Sequence, residues 1–103
     1  MDLTVVDNPD LQRFEARVGD AVAGFVTYEP SPEGLVLPHT EVDPAFEGQG
    51  VGSTLVRRML DQLRERGELV VPHCPFVRSY IRRHWDAYGS MAVGLRPPPQ
   101  GAD

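Results

Sequence analysis

Residues 13 to 18 read RFEARV, with Phe14, Ala16 and Val18 alternating against Arg13, Glu15 and Arg17. A period of two sends successive side chains to opposite faces of a strand, so one face is core and the other solvent. LTVVD (3–7) and AVAGFVTYE (21–29) are rich in β-branched and aromatic residues and predict strands on either side. Gly19 and Asp20 form a two-residue hairpin connection between the second and third strands. PSPEG (30–34) is a longer turn into a fourth strand over LVLPHTEV (35–42). Pro38 has no N–H to give to a ladder, so this strand is an edge, bulged, or locally parted from a neighbour.

The period changes beyond residue 50. Val51, Leu55, Val56, Met59, Leu60 and Leu63 share one face of a helix, while Arg57, Arg58, Asp61, Arg64 and Glu65 share the other. The predicted helix covers 51–66 and stops at Gly67. ELVVP (68–72) is a fifth short strand. Strand, helix and strand in succession make a right-handed crossover, which places strands four and five side by side and parallel. A second helix is predicted from Pro75 to His84. Residues 89–103 include three consecutive prolines and no period, and predict a disordered tail after a single domain over 1–88. The fold class is α/β with a mixed sheet: an antiparallel meander followed by β-α-β-α.

At 103 residues, 41% hydrophobic and 24% charged, the composition is that of one soluble globular domain. No apolar run approaches the ~20 residues of a membrane span, and the first ten residues lack a leader pattern, so a cytoplasmic protein off the membrane is expected. A net charge of -5 lacks the footprint of a nucleic-acid binder. All ten basic residues are arginines, which closes any mechanism that needs a lysine. The single cysteine, Cys74, cannot form an internal disulfide; it is a core thiol, a dimer crosslink or a reactive group. A monomer or weak homodimer is expected, and no metal site is read from the chain.

AFEGQGVGSTLV (45–56) puts Gly48, Gly50 and Gly52 at alternate positions where the first long helix begins. Helix N-termini offer unpaired N–H groups and a positive dipole end, so bare backbone there is suited to an anion. Tight turns and close helix-to-strand packing also use glycines in such places. The dinucleotide fingerprint needs G-x-G-x-x-G, and the Walker loop needs a lysine; the stretch satisfies neither.

Residues 47–52, EGQGVG, resemble the acyl-CoA loop [RQ]-x-x-G-x-[GA] of the GCN5-related N-acetyltransferases, except that Glu47 stands where Arg or Gln is usual. HTEV (39–42), GQGVGSTLV (48–56), CPFV (74–77) and YIRRH (80–84), taken in order, resemble a small subfamily, the YjdJ-like or NATD1-like acetyltransferase-domain proteins. The resemblance covers residues 10 to 88. It implies that strands four and five splay into a V that takes the pantetheine arm of acetyl-CoA along Thr40, Glu41 and Val42. It also implies a diphosphate on the backbone of Gly48, Gln49, Gly50, Val51, Gly52 and Ser53, and transfer of acetyl to a small-molecule or protein amine. A non-catalytic CoA-binding module acting with a protein partner is the alternative.

Cys74 precedes Pro75, a residue favoured at the first helical position, so the thiol is expected at a helix N-cap, a setting that favours the thiolate. Its alternative is an inert buried hydrophobe. His39 is the candidate base for an amine or for Cys74 across the cleft, or else a structural residue. His73, next to Cys74, is expected to face away from it. Arg82 and Arg83, with His84, either contact the coenzyme's 3'-phosphate or complement the helix dipole. Tyr80 is expected to pack in the core, with protonation of the departing thiolate as the alternative.

Overall fold

The computed structural model describes residues 2–99. β1 (Leu3–Asn8), β2 (Arg13–Val18) and β3 (Ala21–Thr27) form the antiparallel meander, with Val5 opposite Ala16 and Phe14 opposite Val26. Phe14 and Ala16 enter the core, as their alternation requires. Glu15, on the face expected to meet solvent, is only 1% exposed. Asn8 and Arg13 donate to one carboxylate oxygen and Arg17 donates twice to the other, so long polar side chains close over it.

The strand predicted over 35–42 is divided between two sheets. β4 (Glu29–Ser31) and β5 (Gly34–Leu37) make a short hairpin, which shortens the third predicted strand and tightens the turn after it. β6 (Thr40–Val42) instead joins the meander beside β3, giving the order β1-β2-β3-β6. Between them Pro38 cannot continue a ladder, and the chain changes sheets there. β7 (Val70–Pro72) pairs with β5 in parallel, Val36 opposite Val71, so the fifth predicted strand lies where the crossover rule puts it.

That crossover is α1 (Val51–Glu65), and its buried residues are the six of the predicted apolar face. α1 covers the inner face of the four-stranded sheet. Gln62 Nε2 donates to Val5 O at 3.0 Å and Arg58 donates to Leu3 O, which ties the polar flank of the helix to β1. None of the helices among the described residues is long and apolar enough to cross a membrane.

α2 (Pro75–Arg83), α3 (Trp85–Tyr88) and one turn of 3-10 helix (Gly89–Met91) complete the domain. Residues 89–95, read above as the start of a disordered tail, are packed instead. Met91 is buried, Ala92 bridges Val70 in parallel, Val93 N–H reaches Val70 O at 2.8 Å, and Leu95 lies against the core. Elements of three or four residues are too short to display a period, so their burial leaves no sequence signature. Residues 100–103 of the predicted tail lie outside the described residues.

Tyr88 anchors this segment, its hydroxyl donating to Asp61 Oδ1 at 2.7 Å. Burial, then the Asp61 bond and charge, push its hydroxyl up to about 12. Tyr88→Phe is expected to cost about 1 kcal/mol, a fall in Tm of roughly 5 °C for a domain this small. A melting temperature unchanged by the substitution would show that the bond adds nothing.

Candidate active site

β6 is an edge strand, and its hydrogen-bond phase determines what it offers. Thr27 N–H bonds to His39 O at 2.9 Å and Asp43 N–H to Ala23 O at 2.8 Å. In an antiparallel ladder the bonding pairs alternate, so Glu41 also bonds toward β3, and the backbone groups of Thr40 and Val42 face the free edge. On the other side, Leu37 O accepts both His73 N–H and Cys74 N–H, at 3.1 and 2.9 Å, and the parallel ladder ends there. Beyond that point β6 and the start of α2 diverge. The gap is a cleft of about 350 Å3, lined by Thr40, Val42, Phe46, Glu47, Phe76 and the backbone of the glycine loop.

The three glycines of that loop have two different reasons. Gly48 and Gly50 have φ of 79° and 74°, left-handed values that suit glycine, with open space where a Cβ would project. Gly52 is ordinary helix, but a Cβ on it would come within 2.9 Å of the Phe76 ring. So two glycines shape the loop, and the third lets α2 close on α1. The first helical bond runs from Thr54 N–H to Gly50 O, so the N–H groups of Val51, Gly52 and Ser53 precede the ladder at the positive end of the helix. Gln49 is exposed and does not line the cleft, and Glu47 does line it.

Cys74 is the N-cap of α2, with Pro75 at the first helical position. Its side chain is 5% exposed, the thiol donating at 3.2 Å to Oγ1 of Thr40, a residue of the cleft wall. His39 is not brought to it. Consecutive residues of a strand face opposite ways, and His39 lies on the outer face with Glu41, its Nε2 3.2 Å from Glu41 Oε1 and its ring 6.2 Å from that of Phe25. The thiol's partner is thus Thr40, which sequence spacing did not single out for this role; Phe76 and Phe46 are further wall residues it missed. The signal for Phe76 was an aromatic in the polar first turn of a short helix.

Arg82 and Arg83 do not line the glycine cleft. With His73, Arg78 and Ser79 they line a second, open cleft on the outer face of α2. Arg83 also lies over the Tyr80 ring. Tyr80 is in the core, its ring centroid 4.4 Å from that of His84, and burial raises its hydroxyl above the usual range. His84 caps α2 by donating its N–H to Ile81 O and Tyr80 O.

Among solved structures, the chain is similar to the solution structure of a Staphylococcus aureus protein described as GCN5-like and as a candidate N-acetyltransferase. The match covers 96% of both chains at 21% identity with a TM-score of 0.66, which shows a shared fold. No curated protein matches the chain. Residues 13–91 match the family described as GCN5-related N-acetyl-transferase. That span takes in β2 and β3 of the meander, the parted strands, the glycine loop and the Cys74 helix, and the chain belongs to the GCN5-related N-acetyltransferase family, as an acyltransferase of that class.

Proposed function

We propose that the protein transfers the acetyl group of acetyl-CoA to a small-molecule or protein amine in the cleft between β6 and α2. One observation carries this reading: bare glycine backbone, the N-terminus of α1 and the free edge of β6 line a single cleft, and Thr40 in its wall accepts a hydrogen bond from the Cys74 thiol. The N–H groups of the loop suit a diphosphate. The outward groups of Thr40 and Val42 suit the amides of a pantetheine arm, which would lie against Phe76. Glu41, whose backbone bonds toward β3, holds His39 rather than the coenzyme. His39 is exposed at the break between the sheets and is the available base for an incoming amine on the outer side of β6. The four short segments quoted above support the YjdJ-like, NATD1-like subfamily. The unpaired thiol supports a reducing, cytoplasmic setting.

The glycine loop supplies the test. No atom lies within 4 Å of a Cβ on Gly50, so a side chain there adds no clash, and Asn and Asp carry the same left-handed backbone cost of about 1 kcal/mol. They differ in one charge at the diphosphate. Gly50→Asn is expected to bind CoA within a few-fold of wild type, and Gly50→Asp to weaken it by at least about 30-fold. Glu47→Gln, which removes a carboxylate from the same wall, should move affinity the other way. Calorimetry that finds no CoA binding to the wild type at millimolar ligand, or equal affinity for both Gly50 variants, would overturn the assignment of the cleft.

A further inference from the structure

The α2 face that carries the arginines has no role in the chemistry above. Arg78 with Arg82, and Ser79 with Arg83, are two i,i+4 pairs, so three guanidinium groups and a hydroxyl form one patch over two turns. His73 and Pro98 complete the walls of a cleft of about 660 Å3, which has no residue in common with the glycine cleft and no carboxylate among its lining residues. Elsewhere Arg13, Arg17, Arg64 and Arg66 pair with carboxylates, whereas among the described residues no ion pair involves Arg78, Arg82 or Arg83. In a chain of net charge -5 this is an unneutralised concentration of positive charge. Helix-dipole complementarity accounts for Arg82 and Arg83 in the last turn. It does not account for Arg78 one turn earlier, or for His73 outside the helix.

We propose that this cleft is a binding site for a phosphate monoester, held by Arg78, Arg82 and Arg83 with Ser79 and His73. Guanidinium forks match phosphate oxygens two at a time, and Ser79 adds a neutral donor between them. The cleft is concave and sized for a small molecule, whereas the net charge of -5 over the whole chain disfavours an extended polyanion. The neighbouring groove is lined by Arg82, Arg83, Trp85 and Asp86, so the single tryptophan of the chain borders the site and reports on it. Two sources share this chemistry: the 3'-phosphate of the coenzyme, and a separate phosphorylated ligand.

Inorganic phosphate and 3'-AMP are the probes, followed by amide shifts and Trp85 fluorescence on the intact chain. Saturable shifts centred on residue 73 and residues 78–83 are expected. The double variant Arg78→Gln/Arg82→Gln changes only outward-facing residues and should keep its circular dichroism while weakening both probes by about tenfold. Calorimetry with CoA and dephospho-CoA then separates the sources. A preference for CoA that the double variant abolishes identifies the coenzyme's own phosphate; equal affinities, with the phosphate response of α2 intact, identify a separate ligand. Shifts that chloride reproduces at equal ionic strength, or an α2 face silent to every probe, would overturn the site. Loss of coenzyme binding with the α2 response retained would count against the glycine cleft alone.

Discussion

Cys74→Ala is expected to lower acetyl transfer by at least about a hundredfold while leaving the affinity for CoA within a few-fold of wild type. The thiol sits at the N-cap of α2 and is held by a single side-chain bond to Thr40, a wall residue of the glycine cleft. In the proposed step Sγ attacks the thioester carbonyl, the carbon–sulfur bond to the coenzyme breaks, and the thiol proton passes to the departing coenzyme thiolate. The exchange replaces one thioester by another, so it is close to neutral in energy. An amine then attacks acetyl-Cys74, and the thiol is regenerated. Incubation with acetyl-CoA should leave one acetyl on the peptide spanning Cys74, labile to hydroxylamine and discharged by a productive amine. Thr40→Val, which removes the acceptor that orients the thiol, should slow formation of the adduct without abolishing it. Turnover of Cys74→Ala within about threefold of wild type would sink the covalent route. Direct attack by the amine would then remain, with His39→Ala as the substitution that stops it.

The largest effect on stability is expected at Glu15. Glu15→Gln keeps the shape of the side chain but removes the charge that Arg13 and Arg17 face, and is expected to cost about 2–3 kcal/mol at neutral pH. The estimate is at the lower end for a buried charge because Arg17 is half exposed and can recover water. Burial alone would raise the Glu15 carboxyl; the bonds from Arg17, Arg13 and Asn8 outweigh it and hold the group below the ordinary glutamate value of 4.5. The sign follows from linkage. A depressed folded pKa contributes stability that is full above 4.5 and disappears as pH falls through the lower folded value. Denaturant titrations of the two proteins should therefore differ by a constant amount near neutrality and converge in acid. A gap that persists unchanged to pH 3, or one below about 0.5 kcal/mol at pH 7, would mean that the arginines stabilise this face without the carboxylate.

Glu15 also illustrates a limit on what alternation conveys. The period of two in RFEARV correctly sends Phe14 and Ala16 one way and Glu15 the other. It says nothing of whether the second face is wet, because that depends on side chains from Asn8 and Arg17 folding over it. The tail shows the same limit. Met91 and Leu95 have too few neighbours in sequence to form a pattern, and their burial becomes visible only once the folded core supplies the surface.

What the sequence determined by itself is what local periodicity and turn chemistry can encode: the meander and its Gly19–Asp20 hairpin, the six buried residues of α1, the parallel pairing of the Leu35–Leu37 part of the fourth predicted strand with the fifth, and the bare backbone before the helix. These depend on spacings of a few residues, which backbone geometry converts directly into faces and handedness. Tertiary structure alone decided the partners. Pro38 announced a disturbance, but only the two sheets show that β5 and β6 part company there. His39 and Thr40 differ by one position, and the pairing of β6 with β3 settles which of them meets Cys74. Because the pleat has a period of two, a shift of one residue would have exchanged them. Arg82 and Arg83 were legible as a basic pair, yet the orientation of α2 on the core turns them away from the glycine loop and toward Arg78 and His73. Chemistry at a site depends on which faces meet, and that is a property of packing between elements distant in sequence.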